Sequence, residues 1–293
     1  MEKTMRYLLI LALAAAIAAA ESPFPYAPAG FLKIPGNIQL DAVSAVDVDS
    51  RGRIYVLHRG EPPLLAFDAK GRYMHGWGQG MFEVAHGLRV DRDDNIWTTD
   101  NKLHVLRKFS PKGELLATVG EAGVGAADET HFRSPDDIGF SSKGELFIAD
   151  AGNGRIVRLS ADGKYIKSWG AKGTGDGEFA AAHGLTVDSR DRVIVADRGN
   201  NRVQVFSADG KHLATWSGFG NPFGVLATGD TVIVSDGDAH RLIVLSLNDG
   251  REVARWGDPR TVQLPHLMAT TPDGRLLVTE VNGKRVQIFR PVK

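Results

Sequence analysis

The chain of 293 residues contains no cysteine. It therefore forms no disulfide and carries no N-terminal cysteine that could take a lipid. It also has no excess of either charge, with Lys plus Arg and Asp plus Glu at 35 each. Such a balance sets up no global field toward nucleic acid or acidic membranes, and no nucleic-acid partner is expected. No window shows sustained helical periodicity. The apolar run at the N-terminus, Tyr7–Ala20, is only 14 residues long, short for a bilayer span.

That run has another meaning. Lys3 and Arg6 precede it, and Ala18-Ala19-Ala20 ends it just before Glu21, a small-residue cleavage pattern. Residues 1–20 read as a secretory signal peptide. Its removal would leave 21–293 as a single soluble domain, secreted or periplasmic, with no stable membrane span and a monomer expected.

What the chain does have is repetition. Six similar segments end in His58, Asp100, Asp150, Asp197, Asp236 and Glu280, at steps of 42, 50, 47, 39 and 44 residues. This is the period of a propeller blade rather than of a helical solenoid. Each copy reads as four short strands, with Asp-Gly-type hairpin turns between them. Trp77, Trp169, Trp216 and Trp256 recur on the fourth strand and read as packing between blades. The last copy stops after its third strand, RVQIFRPVK, so a strand from the N-terminal side must complete it. Phe31–Pro35 (FLKIP) is the expected partner, because ring closure removes exposed sheet edges. The expected fold is an all-β, six-bladed β-propeller closed by an N-terminal strand.

The position that opens each first strand is occupied by Ser44, His86, Asp136, His183, Phe223 and His266. Histidine falls on every second blade, each time fourteen residues before the acid that closes the second strand. In a closed ring this phase gathers three imidazoles about the axis, a geometry suited to zinc with an open fourth position. The other six histidines share no such phase. Arg59 and Arg198 each follow directly on the second strand, in blades one and four, which face each other across a six-membered ring. Two guanidinium forks there suit a carboxylate-bearing or peptide substrate. The competing reading pairs these arginines with nearby surface acids. Gly173–Phe179 (GTGDGEF) is rich in glycine but lacks the strand–helix setting of a phosphate loop.

These segments resemble the NHL-repeat family. GEFAAAHGL, VADRGNNRVQVF, YVLHRG, AHGLRVDRDDNIWTTDNKLH and LPHLM resemble, more narrowly, the peptidyl-α-hydroxyglycine α-amidating lyases. The resemblance implies that His86, His183 and His266 bind zinc, that Arg59 and Arg198 belong to the substrate site, and that Val46 and Leu88 offer backbone carbonyls to a structural calcium. The chain departs from the family at three places. The family's catalytic tyrosine falls where this chain has Asp150-Ala151-Gly152, a calcium-ligating aspartate is replaced by Leu267, and a methionine by Leu264.

The leading expectation is thus a zinc-dependent lyase that splits an α-hydroxyglycine (carbinolamide) into an amide and glyoxylate. The metal would acidify the substrate hydroxyl. With tyrosine missing, the base is either a hydroxide held by the metal or Asp136, at the same channel mouth. The alternatives are a non-catalytic propeller that binds a peptide, glycan or protein around a structural metal, and a calcium-centred hydrolase such as a lactonase. Three imidazoles serve a hard cation poorly, which disfavours the last.

Overall fold

A computed structural model describes residues 24–292. The segment expected to be a signal peptide lies outside the described residues. The described chain forms six four-stranded antiparallel sheets. Inner strands run Val43–Val48, Ala85–Val90, Pro135–Phe140, Ala182–Val187, Pro222–Thr228 and Pro265–Thr270. They touch in ring order, the sixth against the first. The chain is the six-bladed β-propeller expected from its repeat, and each of the six expected acid or histidine residues ends a second strand.

The strands are short because Gly/Asp turns interrupt them, and they form sheets because β-branched and aromatic residues alternate along them. Second strands such as Ile54–His58 and Val193–Asp197 are buried along their whole length, since both faces meet a neighbouring blade. The core is accordingly distributed, one apolar cluster to each interface between blades. The tryptophans pack as the repeat implies. Trp77 meets Tyr55 of its own blade and Phe109 of the next, both at 6.3 Å. Trp169 lies under the turn of the following blade, where Gly210 has φ +81° and a Cβ would come within 2.6 Å of the indole. Only glycine fits that contact and that backbone conformation.

Ring closure differs in place from the expectation. The strand that completes blade six is Tyr26–Phe31, pairing with Arg285–Pro291 from Tyr26↔Pro291 to Phe31↔Gln287. It shares only Phe31 with the expected segment, although Leu32 still donates to the Val286 carbonyl at 3.0 Å. Aromatic docking accounts for the shift. Phe24 stacks on Trp256 at 5.9 Å and meets Phe289 edge-on at 6.3 Å, which anchors the chain upstream of the expected strand.

Candidate metal and anion site

The acid at the end of each second strand builds the site from below. It lies opposite the residue that opens the inner strand, as in the pairs Ala85↔Asp100, Ala182↔Asp197 and Pro265↔Glu280. Asp197 accepts from the N–H groups of Ala180 (3.0 Å) and Ala181 (3.3 Å), Asp100 from Glu83 (2.8 Å) and Val84 (3.2 Å), and Glu280 from Gln263 (2.7 Å). Each acid thus holds the loop that delivers a histidine. In blade one His58 does this work as a neutral ring. Its Nδ1 accepts from Asp41 N (3.2 Å) and Gly60 N (3.1 Å), and its Nε2 is 2.9 Å from the Pro62 carbonyl.

His86, His183 and His266 converge on the axis, with ring centroids 4.8–5.0 Å apart and one nitrogen of each within 4.8 Å of the others. The intervening blades orient them. Nδ1 of His86 meets the Asp136 carbonyl at 2.9 Å, that of His183 the Phe223 carbonyl at 2.7 Å, and that of His266 the Ser44 carbonyl at 2.5 Å. A carbonyl can only accept, so each Nδ1 carries the proton and each Nε2 keeps a free lone pair. The blades can approach this closely because glycine follows two of the histidines. A Cβ on Gly87 or Gly184 would stand 2.5 Å from the Asp136 or Phe223 carbonyl.

All three rings are buried, and Nε2 of His183 has no hydrogen-bond partner among the described residues. Burial pushes His86 down to about 4 and holds His183 and His266 well below the ordinary imidazole value. Three neutral, preoriented imidazoles with an unsatisfied buried nitrogen fit a zinc-type ion.

Asp136 borders the triangle. Its carboxylate oxygens are 4.0 Å from His86 Nε2 and 3.9 Å from His183 Nε2, close enough to serve a group bound at the open position. Burial raises its pKa to about 7, against the pull of an Asn101 hydrogen bond and of Arg198 and Arg59. The Asn101 amide donates directly to Asp136 Oδ1. Sequence reasoning passed over Asn101, although it follows its second strand just as Arg59 and Arg198 follow theirs. Extending that phase to all six blades would have found it.

Arg59 and Arg198 are brought to this end of the channel. Arg59 Nε is 3.4 Å from the Ala85 carbonyl, next to His86. The Arg198 guanidinium stacks on Phe223 at 4.8 Å. Among the described residues neither has an acid within ion-pair distance, so the expectation of ordinary surface salt bridges does not hold for them. Ala151 occupies the corresponding position in blade three and brings no hydroxyl.

The residues do not fit the calcium implied by the family resemblance. Leu267 stands where a carboxylate ligand would be, fully buried in one apolar cluster with Leu88 and Ala45. Nearby, the Arg89 guanidinium already brings a positive charge, bonded to Asp137 Oδ2 (2.6 Å) and to the carbonyls of Ile138 (3.2 Å) and Met268 (3.3 Å). Val46 and Leu88 are left with carbonyls alone, too few oxygens for a hard cation.

Comparison with known proteins gives the same fold. The NHL repeat family matches residues 179–206. Peptidyl-alpha-hydroxyglycine alpha-amidating lyase 1 of Drosophila melanogaster is 30% identical over 86% of this chain, and NHL repeat-containing protein 3 of Mus musculus is 31% identical over 85%. The chain spans 58% and 65% of those proteins, less than two thirds of either. Among solved structures, a streptogramin B lyase superposes with TM-score 0.67 at 14% identity, covering 91% of this chain and 98% of its own, which shows a common fold. Among the described residues no helix is long and apolar enough to cross a membrane. The chain is a six-bladed β-propeller with an NHL-repeat match over residues 179–206, and it resembles the peptidyl-α-hydroxyglycine α-amidating lyases.

Proposed function

We propose that this protein is an exported zinc-dependent lyase that cleaves α-hydroxyglycine compounds to an amide and glyoxylate. One observation carries the reading: three lone-pair-bearing imidazole nitrogens meet at the axis beneath two arginines that have no carboxylate of their own. Zinc held by His86, His183 and His266 would supply Lewis acidity toward a substrate oxygen. Arg59 and Arg198 bind and orient the substrate carboxylate. Asp136, poised near neutrality by burial, takes the hydroxyl proton. The oxygen electron pair then forms the aldehyde C=O, the C–N bond breaks, and its electrons go to the nitrogen. That nitrogen takes a proton from Asp136, so the products are the primary amide and glyoxylate.

The test is glyoxylate release from N-benzoyl-α-hydroxyglycine by the zinc-loaded protein, against a protein-free control. A rate equal to the control, with zinc fully bound, would refute the reading. The lack of a tyrosine in Asp150-Ala151-Gly152, where the family has one, favours a second reading, a non-catalytic propeller that binds carboxylate ligands around a structural metal. Carboxylate binding without turnover would select it.

A further inference from the structure

Four arginines of this fold are neutralised in one repeated way. Arg155, Arg202, Arg241 and Arg285 open third strands and clamp the acid closing the second strand of the same blade, at 2.7 Å (Asp150), 2.8 Å (Asp197), 2.8 Å (Asp236) and 2.9 Å (Glu280). Arg198 departs from this pattern. Its guanidinium lies 4.8 Å from the centre of the Phe223 ring and has no acidic partner among the described residues.

Phe223 is itself held from several sides. Its ring meets His183 edge-on at 5.1 Å and His266 at 5.5 Å. Gly237, in the turn that follows the next strand of the blade, backs it so closely that a Cβ there would come within 2.3 Å. Its own carbonyl accepts the His183 Nδ1 proton. The residue is only 8% exposed, so the ring is a fixed part of the wall. One residue thus touches both the metal-ligand triangle and an arginine of the anion site.

We propose that Phe223 is a positioning residue, an aromatic shelf that holds Arg198 as an uncompensated cation above the histidine triangle. The inference rests on the carboxylate-binding role proposed for Arg198. An aromatic face attracts a guanidinium without neutralising it and occupies none of its five N–H donors in the plane of the fork. A carboxylate in the same place would orient Arg198 equally well but would compete with the substrate for those donors.

The zinc-loaded full chain and glyoxylate as probe ligand test this by calorimetry. Phe223→Leu keeps an apolar side chain, somewhat smaller, and removes the π face; glyoxylate binding should weaken roughly two- to thirtyfold, the range for a cation–π contact. Phe223→Tyr should restore it. In an Arg198→Met background Phe223→Leu should cost nothing further, because the two residues act as a unit. Gly237→Ala, which displaces the ring without changing its chemistry, should reproduce the loss and serves if Phe223→Leu does not fold. Wild-type affinity in both Phe223→Leu and Gly237→Ala, or an equal loss when Arg198 is already absent, would overturn the proposal. Should the wild type bind no glyoxylate, the carboxylate reading fails, and NMR decides the shelf alone. A ring-current shift of the Arg198 Nε–Hε resonance that vanishes in Phe223→Leu supports it; no such shift overturns it.

Discussion

Asp197 holds His183 in place without touching it: its Oδ1 accepts the backbone N–H groups of Ala180 and Ala181, three and two residues upstream of the histidine. The same carboxylate receives Arg202 Nε at 2.8 Å and Asn200 Nδ2 at 2.7 Å, and it is fully buried. Asp197→Ala leaves these donors without their acceptor, beside a partly buried Arg202 guanidinium. Loss of one partner of a buried pair costs about 3–5 kcal/mol. A large fall in melting temperature, with weakened zinc retention at temperatures where the variant is still folded, is expected. Unchanged zinc affinity in folded Asp197→Ala would show that the loop needs no such anchor.

Removing a single histidine separates metal binding from folding. His183→Ala should drop zinc content, measured by elemental analysis, from one ion per chain to a small fraction, since two imidazoles bind a divalent ion far more weakly than three. His131→Ala is the control, because that ring is engaged with Asp128 at 2.9 Å. Full zinc occupancy in His183→Ala would place the metal elsewhere.

For the arginines the expected loss is in ligand affinity alone. Arg59→Lys and Arg198→Lys should each weaken glyoxylate binding about tenfold to a hundredfold, the value of a charge-assisted hydrogen bond of 1.5–3 kcal/mol. An ammonium keeps the charge but cannot reproduce the planar fork. Zinc content should stay constant. Equal binding by wild type and both variants would leave these arginines outside the site.

His58 gives the stability a pH dependence whose sign is fixed. Burial lowers its pKa below the ordinary 6.5. Above that value neither the folded nor the unfolded chain is protonated there, and His58 contributes no slope. As pH falls through 6.5 the unfolded chain takes up the proton first, so stability is lost from there down to the folded pKa, by up to about 1.4 kcal/mol per pH unit. His58→Asn keeps an acceptor for Asp41 and Gly60 but does not titrate. Its loss of stability between pH 7.5 and 5, followed by denaturant melts on metal-free protein, should be smaller than that of wild type. Parallel losses in the two proteins would contradict the burial argument.

Calcium should be irrelevant to this chain. With Leu267 in an apolar cluster and Arg89 clasped to Asp137, added calcium or a calcium-selective chelator should leave the melting temperature of the zinc-loaded protein unchanged. A calcium-dependent rise of several degrees would restore the site.

The architecture was readable because two regularities survive in the sequence at full strength. Alternation with period two sets which residues face inward, and the acid at the end of each second strand keeps the blades in phase, so that His86, His183 and His266 could be placed before any coordinates. The physical purpose of those acids was not readable, because a carboxylate that accepts backbone N–H groups looks the same in sequence as one that marks a strand end. Closure was misplaced by five residues for a similar reason. FLKIP alternates better than YAPAGF, but the docking of Phe24 on Trp256 depends on residues more than 200 positions apart. Phe223 was assigned to the channel without a role, since whether an aromatic ring packs on a cation or merely on its neighbours is a matter of side-chain direction.

The Ser44 carbonyl and the His266 ring that it orients are 222 residues apart. A chain emerging from its N-terminus presents His86 and His183 long before the third ligand exists, and Tyr26–Phe31 waits without a partner until Arg285–Pro291 arrives. The capacity to hold a metal is therefore acquired at the last moment of assembly, when the first strand meets the last. Uptake of a metal at this triangle would in effect report that the sixth blade has been made and that the ring has shut.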